Sequence, residues 1–366
     1  MYKTLVITTA PVFPTNNGYK SSVLGRLDEM VALRNKIILV ELNFENSINK
    51  NDEIIPERFK RIKRYKIRCN KRTVVHEIKS LLNIKTRHEQ LFSDKNIRNR
   101  IEDILEIEKP SIIVVESLWA LHALPRDVKG EVRCVIHDVA IDFFREMFKS
   151  QRGMLRRLCY LNDYIKLQFT EVNILNRVKV DEFVFLTEED KEWYQDKYNI
   201  KQLCSLASNH LYVEKIERKI NYKTPFLLIP GSIEFAQNYH GLNWFVKNIY
   251  PNLNKKIKVI VTGKASQEKI KMLKVRGEIY FSGELDVIKF NELCSACLGV
   301  IAPITTGTGI KIKILEAVQK GIPVVTTKFA SKGIDSLLCF YGDDNKDSTF
   351  IREINNFLER TLSDSV

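Results

Sequence analysis

The sequence predicts an α/β fold of two Rossmann-like, doubly wound parallel-sheet domains that face a central cleft. Apolar, β-branched runs of strand length alternate with helix-length segments, which is the pattern of a parallel sheet covered on both faces. This alternation fades over 205–224 and then starts again. The length of 366 residues agrees with two domains. One hydrophobic core rarely serves more than about 250–300 residues.

The first series of elements fills the N-terminal half. A β-branched run at 3–9 leads into a Pro/Asn/Gly loop at 10–18, and Leu24, Leu27 and Val31 then recur at helical spacing. Later apolar runs predict strands at 36–42, 111–115, 132–136 and 183–186.

The second series opens with PFLLIPG at 225–231 and continues with a predicted helix at 239–249. The further predicted elements are strands at 257–263, 278–283, 298–303 and 322–327, and a last helix at 347–362. We therefore predict an N-terminal domain at 1–205, a C-terminal domain at 206–346 and a closing helical segment at 347–366. Ligands of doubly wound sheets bind beyond the carboxyl ends of the strands.

Cysteine usage and hydropathy predict the compartment. Seven cysteines without regular spacing argue against a disulfide framework and indicate a reducing environment. Cys294 and Cys297 form a CxxC pair in a predicted helix, but a zinc site needs more ligands, so we expect no metal. The N-terminal apolar run spans only about seven residues, too short for a signal peptide or a membrane span. We expect a cytoplasmic protein.

One stretch is strongly basic. The chain carries a net charge of +13, and nine of the fifteen residues from Arg58 to Arg72 are Lys or Arg. Alternation over 64–69 predicts a strand with one basic face, and apolar residues at helical spacing follow over 74–92. Such a run fits an anionic partner: a lipid surface, a pyrophosphate-bearing substrate or a nucleic acid. A merely solvated basic face is the alternative.

The segment from Pro303 to Thr327 carries the clearest chemical signal. A strand ends at Ala302, a glycine-containing loop follows, and a helix is predicted at 310–320. Gly321 can take the left-handed conformation that ends a helix, and Pro323 bars its continuation. A strand, a glycine loop and a helix N-terminus together present free backbone N–H groups to an anion, typically a phosphate.

Three charged residues sharpen this prediction. Lys311 and Lys313 are predicted in the first helical turn, where a cation meets the positive end of the helix dipole and costs stability unless an anion compensates it. Glu316 lies one turn further and can accept hydrogen bonds from two neighbouring hydroxyls, as on a ribose. The alternative is a solvated turn whose glutamate pairs with a lysine.

The run GTGIKIKILEAVQKGIPVVTT resembles the donor-binding signature of bacterial glycosyltransferases of the GT-B fold, especially family 4 (group 1). The stretches LLIPGSIEFAQNYHGLNWF, IKVIVTGKA and EIYFSGELD resemble the C-domain strands of that family in order and spacing. FLTEEDKEWY and VIHDVA resemble parts of its N-domain. The resemblance covers most of the chain and is strongest over 225–334.

The resemblance implies roles for particular residues. Glu316 would bind the donor ribose, the loop Thr306–Ile310 would give N–H groups to the diphosphate, and Gly283–Leu285 would contact the nucleobase. The implied catalytic residues are His137, which hydrogen-bonds the transferred sugar, and Lys313. The implied donor-binding residues are Gly231, Ser232, Gly283, Glu284, Leu285, Thr306, Gly307, Thr308, Gly309, Ile310, Lys311 and Glu316, and the acceptor-side loop holds Asn17 and Gly18.

Two positions depart from the family pattern. The family often has two glutamates eight residues apart, and Thr308 stands where the first is expected. It also often has an Arg and a Lys after the first C-domain strand, where Gly231–Gly241 offers Ser232 and His240. The departures bear on which sugar is bound and on which residues hold the phosphates.

The resemblance implies a retaining hexosyltransferase that needs neither a metal nor another cofactor. Its donor would be a UDP- or GDP-linked sugar, and its acceptor a lipid-linked or polysaccharide glycan at the inner face of the cell membrane, with the 58–72 run against an anionic lipid surface. Three alternatives remain open. They are a sugar-nucleotide epimerase of the same architecture, a nucleic-acid-binding protein without a recognisable module, and a catalytically silent scaffold. We expect no nucleic-acid partner.

Overall fold

The computed structural model describes residues 2–15, 17–44, 55–70, 73–150, 153–254, 257–307, 309–343 and 346–363. The chain divides into two compact units, Met1–Tyr212 and Val213–Val366. The division falls within 205–224, the stretch without clear periodicity. Each unit contains one parallel sheet with helices between successive strands, which confirms the predicted fold class.

The N-terminal unit holds a seven-stranded parallel sheet in the order β3-β2-β1-β4-β5-β6-β7 among the described residues. Its strands are β1 (Lys3–Thr8), β2 (Lys36–Asn43), β3 (Lys63–Arg68), β4 (Ile112–Val115), β5 (Glu131–Ile136), β6 (Glu182–Phe185) and β7 (Leu203–Leu206). Its helices are α1 (Gly18–Ala32), α2 (Val74–Leu81), α3 (Arg87–Phe92), α4 (Lys95–Glu108), α5 (Ala140–Ser150), α6 (Met154–Leu175) and α7 (Glu188–Tyr198). Short 3₁₀ turns lie at Glu57–Phe59 and Leu118–Ala123.

The C-terminal unit holds a six-stranded sheet in the order β10-β9-β8-β11-β12-β13. Its strands are β8 (Phe226–Pro230), β9 (Lys258–Thr262), β10 (Ile279–Gly283), β11 (Gly299–Ala302), β12 (Val324–Thr327) and β13 (Cys339–Gly342). Its helices are α8 (Ala236–Trp244), α9 (Gln267–Leu273), α10 (Val287–Ala296), α11 (Ile312–Gln319) and α12 (Asp347–Ser363). A π turn at Phe245–Ile249 continues α8.

The central strands follow from their residues. Leu5 of β1 pairs with Ile38 of β2 and Ile113 of β4, and all three side chains are fully buried. Because a strand covered on both faces buries every side chain, it appears in the sequence as a continuous apolar run. The same reasoning applies to β8, whose five residues are all buried.

Some elements differ from the predictions. The edge strands β7 and β13 were missed, because only one neighbour pairs with each and neither forms a continuous apolar run. The predicted helical stretch 74–92 is broken between α2 and α3, and Leu82 lies in the break, exposed to solvent. The helical spacing seen in the sequence corresponds to two helices, α2 and α3.

The cysteines, the potential metal ligands and the hydropathy of the helices are considered together. All seven cysteines are free, and Cys294 and Cys297 are both buried at the end of α10. No group of three potential metal ligands occurs within the described residues. Across those same residues, none of the helices combines the length and apolar character that crossing a bilayer requires.

Candidate functional site

The loop predicted to bind an anion lies where the strand order of the C-terminal sheet reverses. β8 and β11 are neighbours in the sheet but not in sequence, so the loops that leave their carboxyl ends diverge and leave a crevice. Gly231 follows β8, and the loop 303–311 leads from β11 into α11. The structure thus brings two of the predicted donor-binding segments to one edge of the sheet.

Lys313 points from α11 toward the end of β8. Its Nζ donates to Asn238 Oδ1 at 2.6 Å, and Asn238 Nδ2 donates to the backbone carbonyl of Ser232 at 2.8 Å. A Cβ at Gly231 would lie 2.6 Å from the Lys313 Nζ, so glycine leaves the room that the ammonium occupies. Asn238 was missed in the sequence, where His240 was considered instead; His240 is exposed.

The electrostatics of Lys313 are those of a cation without a counter-charge. Burial lowers the pKa of the Lys313 ammonium to about 7, and the positive charge of Lys311 acts in the same direction. Its one described hydrogen-bond partner, Asn238, is neutral. An anion bound beside Lys313 would restore the protonated form.

Lys311 lies outside the helix, contrary to the expectation of two lysines in the first turn. It is the N-cap residue, with φ −88° and ψ 85°, and its Nζ donates to the carbonyl of Gly309 at 2.8 Å. The loop needs its glycines, because Gly307 and Gly309 have φ of 102° and 68°. Thr308 lies outside the described residues. Gly321 takes φ 71°, which confirms the predicted helix end.

Glu316 pairs with a lysine one turn later. Its Oε1 lies 2.7 Å from Lys320 Nζ, and Lys320 also donates to Asn291 Oδ1 at 2.9 Å. This is the lysine pairing that the sequence left open. The Glu316 side chain remains partly exposed, so its carboxylate is accessible to a ligand.

The segment Gly283–Leu285 follows β10. Gly283 has φ 73°, and its carbonyl accepts a hydrogen bond from the Gly263 N–H at 2.9 Å. Glu284 is exposed, whereas Leu285 lines a groove of about 740 Å³ on the β10 side of the unit. These residues lie at the β10 edge of the sheet, and the Lys313 crevice lies elsewhere, between β8 and β11.

A second polar cluster lies at the carboxyl end of the N-terminal sheet. Glu116 follows β4 and His137 follows β5, while Arg26 reaches them from α1. Arg26 Nε donates to Glu116 Oε1 at 2.9 Å, and its Nη2 contacts Oε2. His137 Nε2 lies 3.1 Å from Glu116 Oε2. The ring of Tyr19 lies 5.0 Å from that of His137.

The charges of this cluster are well defined. Burial alone would raise the pKa of the Glu116 carboxyl, but Arg26 and the His137 hydrogen bond outweigh it and lower the pKa to about 2. Burial is the main cause that lowers the pKa of His137. A neutral imidazole beside an anionic carboxylate donates through Nε2–H, which leaves Nδ1 as an acceptor. The sequence predicted His137 but missed Arg26 and Glu116.

The predicted acceptor-side loop has a clear structural role. The Asn17 side chain caps α1 by accepting from the Lys20 N–H at 3.0 Å, and Gly18 is the first residue of that helix. Nearby, an aromatic cavity of about 480 Å³ opens beside the ends of β1 and β4. Its lining residues are Thr9, Phe44, His88, Leu91, Phe92, Ser117 and Trp119.

Buried or partly buried acids neutralise much of the basic run. Arg64 Nη2 lies 2.7 Å from Glu41 Oε2, Lys63 Nζ lies 2.5 Å from Glu108 Oε1, and Arg58 pairs with Asp28. The predicted strand is present as β3. Lys71 and Arg72, at the end of the run, lie outside the described residues. Three cations of the run therefore have acidic partners within the N-terminal unit, whereas Arg61, Lys66 and Arg68 are exposed.

Sequence comparison finds a family similar to the C-terminal unit. A family model described as "Glycosyl transferases group 1" matches residues 224–360. An "Uncharacterized 44.6 kDa protein in cps region" of Klebsiella pneumoniae is 20% identical over 346 residues, which cover 91% of this chain and 84% of that protein.

Solved structures share the architecture. Sucrose-phosphate synthase from Thermosynechococcus elongatus matches with a TM-score of 0.65 at 12% identity, covering 99% of this chain and 92% of that one. Anabaena HepE in complex with UDP and glucose matches with a TM-score of 0.63 at 13% identity, covering 99% and 91%. WaaG, described as a glycosyltransferase involved in lipopolysaccharide biosynthesis, matches with a TM-score of 0.55 at 15% identity, covering 99% and 91%.

The family match and the geometry coincide. The matched residues run from the start of β8 into α12, so they include the whole second sheet and the Lys313 crevice. At such low identities the solved structures establish the fold and leave the chemistry to the site. The C-terminal unit therefore resembles the group 1 glycosyltransferases in sequence, and the chain shares the GT-B fold of these solved structures.

Proposed function

We propose that this glycosyltransferase moves a hexose from a UDP-linked donor to a hydroxyl group of a cell-surface glycan or its lipid-linked precursor, with retention and without a divalent metal. The observation that carries the proposal is Lys313, a partly buried lysine without a described counter-charge in the first turn of α11. It lies within the matched family domain, beside a glycine loop suited to a diphosphate.

The chemistry follows from where charge develops. As the bond between sugar and phosphate breaks, negative charge gathers on the departing diphosphate oxygens. A lysine and helix-terminal N–H groups aimed at those oxygens stabilise that charge without proton transfer. We place the acceptor hydroxyl on the same face of the transferred sugar as the departing phosphate. The phosphate then takes the proton of that hydroxyl. Retention follows from that geometry.

In the N-terminal unit, we propose that His137 orients the transferred sugar. When Nε2–H donates a hydrogen bond to Glu116, Nδ1 is the ring nitrogen that can accept one from a sugar hydroxyl. We assign the acceptor to the aromatic cavity, because Trp119 and Phe44 offer flat apolar faces while Thr9 and Ser117 offer hydroxyls.

The proposed donor nucleotide and the proposed biosynthetic process are supported by the descriptions of similar proteins. HepE was solved with UDP and with UDP-glucose, which supports a uridine nucleotide here. One relative is described by its cps region and another by lipopolysaccharide biosynthesis, which supports a cytoplasmic enzyme of surface-glycan assembly.

The proposal predicts that UDP stabilises the protein in the presence of EDTA. At a UDP concentration about 100 times the Kd, binding should add about 2.7 kcal/mol to the free energy of unfolding. A thermal-shift series with UDP, GDP and uridine measures it, and uridine should give little shift because it lacks the diphosphate. If no nucleoside diphosphate raises the melting temperature at millimolar concentration, the donor site is misassigned.

A second prediction concerns the ribose. Glu316→Ala should weaken UDP binding by about 1.5–3 kcal/mol, because a charged hydrogen-bond acceptor is lost. The variant should also lose the preference for UDP over 2′-deoxy-UDP in isothermal calorimetry. Lys320→Met is the matched control, since it breaks the ion pair but keeps the carboxylate. Unchanged affinity in Glu316→Ala would leave Glu316 as a helix-surface residue.

A further inference from the structure

The longest helix of the N-terminal unit exposes an apolar stripe. Six large apolar side chains of α6 face solvent, among them Met154 at 80% and Phe169 at 75% of full exposure, and five of the six align along the helix. With about 100° between successive residues, the five fall within a sector of about 60°. The α6 stripe consists of Met154, Leu158, Ile165, Phe169 and Val172.

The end of α2 extends this apolar surface. Lys166 Nζ on α6 donates to the backbone carbonyl of Ser80 at 2.6 Å, so the two helices lie side by side. Ile78 and Leu82 are there 51% and 94% exposed. Single exposed apolar residues are normal on proteins, whereas a concentration of them on adjoining elements marks an interaction surface.

The acids of α6 are buried, whereas its arginines are exposed. Its two acids, Asp163 and Glu171, are fully buried; Asp163 pairs with Arg87, and Glu171 accepts from Tyr194 Oη at 2.7 Å. Its arginines, Arg156 and Arg157, are exposed at the N-terminal end. The helix therefore exposes apolar side chains along its length and two cations at its N-terminal end, and it exposes no acid.

We propose that the α6 stripe docks onto an anionic membrane surface, with the helix lying parallel to the bilayer. From Met154 to Val172 the stripe runs about 27 Å at 1.5 Å per residue. Apolar side chains along such a helix enter the boundary between headgroups and acyl chains, while arginines bind the anionic headgroups. A second copy of the chain would add the same cations and no exposed acid from α6.

This surface is separate from the basic run at 58–72. Arg64 and Lys63 of that run pair with the buried acids Glu41 and Glu108, whereas Arg61 and Arg68 are exposed, so substitutions can test the two surfaces separately. The stripe lies in the N-terminal unit, and its role does not depend on the chemistry proposed for Lys313.

The test is flotation with vesicles of phosphatidylcholine containing 30% phosphatidylglycerol. Vesicle binding should fall at least tenfold in the triple variant Leu158→Gln, Ile165→Gln and Phe169→Gln. It should fall about fivefold for each charge removed in the double variant Arg156→Gln and Arg157→Gln. Circular dichroism melting checks that each variant folds. The control is Arg61→Gln with Arg68→Gln, two exposed cations of the basic run, which should bind as wild type does.

Three results would overturn the proposal. The first is wild-type protein that does not float with these vesicles. The second is a stripe variant that binds vesicles as well as wild type does. A loss of vesicle binding that occurs only in the Arg61 and Arg68 variant has the same meaning, because it would assign the membrane contact to the basic run. The third is a wild-type dimer that the stripe substitutions dissociate without changing vesicle binding, which would make the stripe a contact between copies.

Discussion

Replacing Lys313 with alanine should lower kcat by about 10²–10³, with a much smaller loss of UDP affinity. In the ground state the loop N–H groups already hold the diphosphate, so one cation adds little. As the glycosidic bond breaks, the added negative charge makes that cation more valuable. Steady-state kinetics with the donor, together with calorimetry of UDP, separate the two effects.

The pH dependence gives a second readout of the same lysine. Only the protonated ammonium stabilises the departing phosphate, and the pKa of Lys313 is lowered to about 7 in the free protein. We therefore expect kcat/KM to fall as pH rises above about 7, because that parameter reports the free enzyme. The bound diphosphate raises the pKa, so kcat should fall only at higher pH. In Lys313→Ala the alkaline fall due to this group should disappear.

Two further variants control the interpretation. Asn238→Leu keeps the lysine but removes its acceptor, so we expect a smaller loss of kcat than in Lys313→Ala. Lys274→Ala removes an exposed lysine after α9 and should leave the kinetics unchanged. Near-normal turnover of Lys313→Ala would deprive the proposed mechanism of its principal charge.

Replacing Glu116 with glutamine should reduce the free energy of unfolding by about 3–5 kcal/mol. The substitution leaves the Arg26 guanidinium buried without its counter-charge, and breaking one side of a buried pair is costly. Glu57→Gln is the matched control, because that ion pair with Lys60 is exposed and contributes little. Urea denaturation followed by circular dichroism and tryptophan fluorescence measures both.

A double variant tests whether the cost is electrostatic. Arg26→Met with Glu116→Gln removes both charges, so it should recover part of the stability that Glu116→Gln alone loses. The wild-type contribution should also depend on pH. The folded pKa of Glu116, about 2, lies below the ordinary value of 4.5, so its stabilisation is present above 4.5 and is lost as pH falls toward 2. If Glu116→Gln lowers the free energy of unfolding no more than Glu57→Gln does, the buried pair of Arg26 and Glu116 does not stabilise the fold as argued.

The sequence by itself determined the two parallel sheets and the position of the glycine loop between β11 and α11. Both depend on residues close together in the chain: continuous apolar runs such as those of β1 and β8, and the glycines and Lys313 that join β11 to α11. The predicted helix end at Gly321 has the same local origin. Such features follow from backbone conformation and periodicity, which neighbouring residues decide.

Only the tertiary structure decided the partners of the charged groups. Arg26, Glu116 and His137 meet because strand order places the ends of β4 and β5 side by side, beneath α1, although about a hundred residues separate Arg26 from the other two. The same holds for Lys313 with Asn238, 75 positions apart. The pairing of β3 with β2 likewise brings Arg64 of the basic run to the buried Glu41. The pKa and function of a charged group depend on its counter-charge and on its removal from water, and sheet topology settles both.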